Sequence, residues 1–253
     1  MLADAQTELI RREELKALQL ERLKRLIAWA YDKSAFYRRS FQRHGVTPED
    51  VQSLSDVSKL PFLTLAELIG NELDILTLPL SSVVRVSRCG EGLSFYTKGD
   101  VRNNVELTIR ALAAADVLRG STVSIAGDLS DSRLLDILYA LESIGSTVVL
   151  SGASFHVDKV ISVTEELSDC VVTSEQIKLF APSAVGNAGM IYRCEAAGLH
   201  VQEDKFFAEV SDGELVVTTL TAQALPLIRF RTGQRVRFIN EPCVCGRTFR
   251  RIT

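Results

Sequence analysis

The sequence is poor in several things, and each scarcity removes a class of function. It has no excess of positive charge: 29 Lys and Arg face 32 Asp and Glu, for a net charge of −3. Nucleic-acid binding draws its affinity from a basic face that releases counterions, so no nucleic-acid partner is expected. No apolar run approaches the ~20 residues that cross a bilayer, so no membrane partner is expected either. Residues 1–14 are polar and charged and lack the apolar core of a secretory leader, which points to the cytoplasm. Internal repeats and low-complexity segments are missing. Only three histidines occur. His44 beside Gly45 reads as a surface residue, and His156 lies in a loop without a partner in sequence. Five cysteines, an odd number in a reducing compartment, point to a metal or to free thiols before disulfides.

What remains is ordinary for a globular chain of 253 residues: 46% hydrophobic and 24% charged, enough for a sizeable core. Composition breaks near Pro79 and Pro182 divide the chain into three segments. Residues 1–78 form a helical N-terminal arm. Its first helix spans residues 6–31, with an apolar stripe through Leu9, Leu15, Leu18, Leu23, Leu26, Ile27 and Ala30. Thr47 and Pro48 open a second helical segment that stops at Leu60-Pro61, and Thr64-x-x-Glu67 is a capping box for a third.

Residues 79–182 alternate in character and predict a parallel α/β sheet. Strands are expected at residues 83–86, 122–126, 147–150 and 169–173. Helices are expected after Asp100 with Gly120 as stop, over 131–143 with Gly145 as stop, and over 159–167 and 175–180. Cys170 inside its strand reads as a core thiol. Residues 183–253 are β-rich. They carry the run Gly213-Glu-Leu-Val-Val-Thr-Thr-Leu220 and turn signals at Gly186-Asn187 and Asp212-Gly213.

Two cysteine motifs frame this last segment. Cys194-x5-His200 and Cys243-x-Cys245 together supply three thiols and an imidazole, the donor set of a closed tetrahedral zinc site. Four protein ligands leave no open position, so such a zinc would be structural. The same residues also fit unmetallated core thiols and a packed histidine.

Several segments resemble the phenylacetate-CoA ligase family of AMP-forming acyl-CoA ligases. The matching stretches begin with Ala30-Tyr-Asp-Lys-Ser-Ala-Phe-Tyr-Arg-Arg39, Gly45-Val-x-Pro48 and Leu60-Pro-Phe-Leu-Thr64. They continue through Tyr96-Thr-x-x-Asp100. The most specific are Cys194-Glu-Ala-Ala-Gly-Leu-His-Val-Gln-Glu-Asp204, Pro226-Leu-Ile-Arg-Phe-Arg-Thr-Gly233 and Glu241-Pro-Cys-Val-Cys-Gly-Arg247. The resemblance implies a reduced version of the family's N-terminal adenylating domain. It implies the reaction of a carboxylate with ATP to an acyl adenylate and then to the CoA thioester. It also supports the zinc, since some family members carry one at the matching positions.

The positions that would hold the nucleotide depart from the family pattern. Its hydroxyl-rich phosphate loop corresponds to Ser87-Arg-Cys-Gly-Glu-Gly-Leu-Ser-Phe95, where Gly90 and Gly92 survive and Glu91 adds negative charge. The segment Val185-Gly-Asn-Ala-Gly-Met190 lacks the family's magnesium-holding glutamate. Arg229-Phe-Arg-Thr-Gly-Gln234 keeps Arg231 but has Gln234 where the family has the ribose-binding aspartate. The family's small C-terminal domain, with its catalytic lysine, is expected to be absent. The expectation is therefore a degenerate nucleotide site with no catalytic residue, on a zinc-containing binding or scaffold protein. The alternative is a ligase component that works with a separate C-terminal domain. Candidate partners are a second copy of the chain, a full-length ligase, or that separate domain.

Overall fold

A computed structural model of the chain describes residues 2–89, 92–150, 155–182 and 184–253. Gly90 and Glu91 lie outside the described residues. In chain order the helices are α1 (Ala5–Glu8), α2 (Arg12–Lys33), α3 (Ala35–Arg43), α4 (Leu65–Leu68), α5 (Glu72–Ile75), α6 (Lys98–Ala114) and α7 (Ser132–Ile144). The strands begin with β1 (Arg85–Cys89), β2 (Gly92–Tyr96), β3 (Thr122–Ile125), β4 (Thr147–Val149), β5 (Lys159–Thr164), β6 (Val171–Val172) and β7 (Gln176–Phe180). They continue with β8 (Ile191–Arg193), β9 (Leu199–Val201), β10 (Phe206–Ser211), β11 (Glu214–Thr219), β12 (Phe230–Arg235), β13 (Phe238–Ile239) and β14 (Arg251–Ile252). Among the described residues no helix is long and apolar enough to cross a membrane.

Two compact units are assembled from discontinuous segments. One comprises Met1–Leu9, Val101–Gln202 and Phe238–Thr253; the other comprises Ile10–Asp100 and Glu203–Arg237.

The first unit holds a five-stranded sheet of order β4-β3-β5-β7-β6, parallel except for the β6–β7 pair, and a four-stranded antiparallel sheet of order β13-β14-β9-β8. Residues 159–167 and 175–180, expected as helices, are instead β5 and β7 over most of their length. The reason is visible in their composition. Lys-Val-Ile-Ser-Val-Thr is mostly β-branched, which favours the pleated sheet. Its Ile161 and Val163 join the core while Ser162 faces the other way. Among the described residues an α-helix joins two strands of this sheet once, at β3–α7–β4. α6 and α7 bury Leu112, Ile137 and Leu141 against Val123, Ile125, Ile161, Ile177 and Leu179. The opposite face carries the half-buried Ser124, Ser162 and Lys178. Parallel sheets are usually covered on both faces, and this polar set lets the second face tolerate water.

Helix ends follow local chemistry. Asp131 caps α7 by accepting from Arg133 N, and Gly145 closes it with φ +78°. α6 is capped one turn earlier than expected. Thr97 accepts from Asp100 N at 3.0 Å and Asp100 accepts from Thr97 N at 2.8 Å, so Asp100 is the third helical residue and Thr97 the cap. The helix also stops before Gly120: it ends at Ala114, and Asp116 takes the left-handed conformation.

The second unit contains α2 to α5, the sheet β10-β11-β12 and the hairpin β1–β2. The single helix expected over residues 6–31 is broken, because Arg11 is extended and α2 begins at Arg12. Its buried stripe runs through Leu15, Gln19, Leu23, Leu26, Ile27 and Ala30. Gln19 tolerates burial because its amide donates to the Glu203 and Phe206 carbonyls at 2.9 and 3.3 Å. The Thr64–Glu67 capping box forms as expected, and the Thr47–Asp50 box opens a 3-10 turn.

Candidate metal centre

The four-stranded sheet brings Cys194, His200, Cys243 and Cys245 together. β8 and β9 pair Tyr192 with His200, and Cys194 continues just past β8, donating its N–H to the Gly198 carbonyl at 2.8 Å. β14 pairs Arg251 with His200, which places the turn before β14 beside the same hairpin. In that turn Gly246 N donates to the Cys243 carbonyl at 3.0 Å with φ +82°. Val244 is 92% exposed while Cys243 is buried, so the two thiols turn inward and the residue between them turns out. Gly198 is required by space. A Cβ there would lie 3.3 Å from both the Cys194 and Cys243 sulfurs and 2.7 Å from Arg251 Cδ.

The ligand atoms of all four residues lie within 4.8 Å of one another. Cys194 Sγ and Cys243 Sγ are 3.7 Å apart, and Cys245 Sγ is 3.4 Å from His200 Nε2. A disulfide needs about 2.05 Å. Tetrahedral bonds of about 2.3 Å to sulfur and 2.0 Å to nitrogen imply edges of roughly 3.5 to 3.8 Å. His200 Nδ1 lies 2.8 Å from the Phe249 carbonyl. A carbonyl only accepts, so Nδ1 carries the proton and Nε2 keeps its lone pair for the cluster. Burial holds the His200 pKa below its ordinary value, which keeps the imidazole neutral. Desolvation pushes the Cys194 thiol up to about 12. The same burial acts on Cys243, but contacts from Cys245 and Cys194 and the Arg251 charge outweigh it and lower that thiol. Of these two, the more buried Cys194 sulfur therefore holds its proton more tightly. The donor set, its spacing and its tautomer fit a zinc ion.

The positions expected to hold a nucleotide are arranged differently. β1 and β2 stay paired as far as Cys89 and Gly92. Gly92 is buried as the first residue of β2, and the next amide, Leu93 N, donates to the buried Glu72 carboxylate at 3.1 Å. Arg231 Nε donates to Glu214 at 2.8 Å, and its guanidinium lies over Phe62 at 5.0 Å. Glu214 also accepts from Gly233 N at 2.8 Å. Gln234 is half-buried and its N–H donates to Thr232 Oγ1 at 3.2 Å. In the other unit, the segment lacking the magnesium-holding glutamate packs tightly on α6: a Cβ on Gly189 would fall 2.5 Å from the Leu107 carbonyl carbon.

Two tertiary staples had no signature in the sequence. Arg229, in the left-handed region at φ +50°, is buried and donates to the Ser58 carbonyl at 3.0 Å and to Glu209 at 3.2 Å. Glu8 pairs with Arg247, 239 positions away. Neither partner is within reach of a periodicity argument.

No protein-family profile matches the chain. It is 30% identical to the phenylacetate-coenzyme A ligase of Thermus thermophilus, a match covering 98% of this chain and 71% of that relative. The aligned stretch of 317 positions exceeds the 253 residues present, so the relative carries segments that this chain lacks. The phenylacetate-coenzyme A ligase of Escherichia coli is 28% identical over 95% of this chain and 70% of its own length. A crystal structure of 2-hydroxyisobutyryl-CoA ligase in the postadenylation state superposes with a TM-score of 0.86 at 16% identity, covering 97% of this chain and 68% of the other. That likeness establishes a shared mixed α/β fold. With the fold and a relative at this level of identity in agreement, the chain belongs to the phenylacetate-coenzyme A ligase family.

Proposed function

We propose that this chain is a zinc-containing member of its family that does not activate carboxylates with ATP and acts as a binding or scaffold protein. One observation carries the reading. The strands that stand where the family has its phosphate loop stay paired as far as Cys89 and Gly92, and the next amide, Leu93 N, is already given to Glu72. A phosphate cradle needs several free backbone N–H groups. A phosphate oxygen brought against a carboxylate at contact costs about 4 kcal/mol at an intermediate dielectric. Arg231, paired with Glu214, is not oriented as a free cation for a nucleotide.

The zinc would be held by Cys194, His200, Cys243 and Cys245. When bound, it links the β8–β9 hairpin to the turn before β14 and performs no reaction, because all four positions are protein ligands. Metal analysis on untagged protein is expected to give one equivalent of zinc; less than about half an equivalent overturns this part. The retained fold favours a second reading, a ligase component that works with ATP, coenzyme A and a separate C-terminal domain. ATP–pyrophosphate exchange over a panel of aryl and short-chain carboxylates separates the two. It would be run with and without a C-terminal domain taken from a full-length relative. No exchange above background is expected in either arm, and clear exchange in either one establishes the second reading.

A further inference from the structure

The Glu8–Arg247 ion pair has no part in the reading above, yet it adjoins the metal cluster. Both side chains are fully buried, and Arg247 Nε donates to Glu8 Oε2 at 2.7 Å. A buried pair of this kind is stable only when its remaining donors and acceptors are also met. Here Glu8 Oε1 accepts from the amides of Ala3 and Asp4 at 2.9 and 3.0 Å. Arg247 gives a second N–H to Glu195 at 2.7 Å. The Glu8 carbonyl accepts from Thr248 N at 3.1 Å, next to Arg247 in sequence. The pair thereby docks α1 onto the segment that carries Cys243 and Cys245.

From this position the pair reaches two of the four candidate ligands. Arg247 stands two residues after Cys245, whose thiol is among the groups that push the guanidinium pKa up. Its guanidinium lies 5.7 Å from the centroid of Tyr192, and that ring stacks on His200 at 5.8 Å with an interplanar angle of 23°. The Tyr192 hydroxyl in turn reaches Glu8 at 3.4 Å. Charge gives the arrangement a purpose. Three thiolates and a neutral imidazole around a divalent cation carry one net negative charge, and a buried anion requires a nearby cation. A guanidinium has five N–H groups in a rigid fork. Glu8 and Glu195 hold two of them and so orient the plane relative to Cys245.

We propose that Glu8 is a positioning residue for the metal cluster: it holds Arg247 toward Cys245, so that metal loading and the docking of α1 stabilise each other. This rests on the zinc reading given above. Coupling of this kind is reciprocal, and outer-shell groups typically change metal affinity by about 10- to 100-fold.

Two measurements on the full chain test it. The first is zinc retention against a competing chelator. Glu8→Gln keeps the shape and drops the charge, and it is expected to release zinc at about a tenfold lower chelator concentration than the unsubstituted chain. Glu13→Gln, exposed on α2, is expected to change nothing. The second needs no variant and stands even if Glu8→Gln does not fold. Hydrogen exchange at the Ala3, Asp4 and Thr248 amides is expected to rise at least about tenfold when zinc is removed, while the amides of β3 and β5 keep their protection. Equal zinc retention in Glu8→Gln, unchanged exchange at those three amides, or protection lost evenly across the parallel sheet each overturn the proposal while leaving one bound zinc in place. A chain that holds no zinc overturns the metal reading, and this inference with it.

Discussion

The turn that carries Cys243 and Cys245 and the hairpin formed by β1 and β2 both join antiparallel segments, and they end in opposite states. In the first, a left-handed Gly246 and an exposed Val244 direct two thiols toward a third thiol and an imidazole. In the second, pairing continues to Cys89 and Gly92, and the adjacent amide is taken by Glu72. The first gathers donors on a common point, whereas beside the second the Leu93 amide is used within the fold. A site that holds the fold together is subject to the same physical demands whether or not a reaction occurs nearby. A phosphate cradle serves only the reaction, and on the reading proposed above strand pairing through Cys89 and Gly92 stands in its place.

The largest effect that would break this comparison is at the metal. Cys194→Ser removes the most buried thiol of the cluster, and zinc content should fall to background. A ligand present at a thousandfold its dissociation constant stabilises a fold by about 4 kcal/mol. Thermal unfolding should therefore shift by that order in the variant. Chelator should destabilise the unsubstituted chain similarly and the variant not at all. A variant that keeps both its metal and its stability contradicts the cluster.

A smaller effect sharpens the contrast from the other unit, where hydrogen bonds do the equivalent work. The buried Tyr37 hydroxyl donates to the Pro226 carbonyl at 2.8 Å and accepts from Ile228 N at 3.0 Å. Tyr37→Phe leaves both backbone groups unsatisfied and should cost about 1–3 kcal/mol in chemical unfolding. The loss should be the same with and without chelator, because among the described residues the only cluster of this kind is in the first unit. A chelator-dependent loss would tie the two regions together against this account.

The smallest expected effect concerns acid. Burial alone would raise the Asp131 carboxyl, but hydrogen bonds from Arg133 and its charge hold it below its ordinary value of 3.8. A carboxyl lowered in the folded state binds fewer protons there than in the unfolded chain. Its contribution is thus present above about pH 3.8 and lost as pH falls through the folded value. Asp131→Ala should cost about 1 kcal/mol at neutral pH, in line with losing a cap, and should flatten the acid end of the stability profile. An unchanged acid limb would assign that dependence to other carboxylates.

Legibility in the sequence followed the range of the interactions. Capping pairs three residues apart, such as Thr64 with Glu67, and stops such as Gly145 are written locally and form as expected. The four candidate ligands were visible because thiols are scarce and their motifs compact. β5 and β7 were misread because short apolar runs do not by themselves distinguish a strand from a helix; alternation of Ile161, Ser162 and Val163 was the better signal. The break at Arg11 had no glycine or proline to announce it. Glu72 with Leu93, Arg231 with Glu214 and Glu8 with Arg247 join positions from 17 to 239 apart, and only the fold brings them together. On the proposed reading, these long-range pairs carry the difference between a segment that resembles a nucleotide site and one whose backbone and side chains are engaged within the fold.

The most direct test of that difference is calorimetric titration of ATP with magnesium into the zinc-replete chain. The account predicts no saturable binding up to millimolar ATP, with the zinc still bound at the end of the titration. Saturable binding in the micromolar range, where working enzymes commonly hold their substrates, would contradict it.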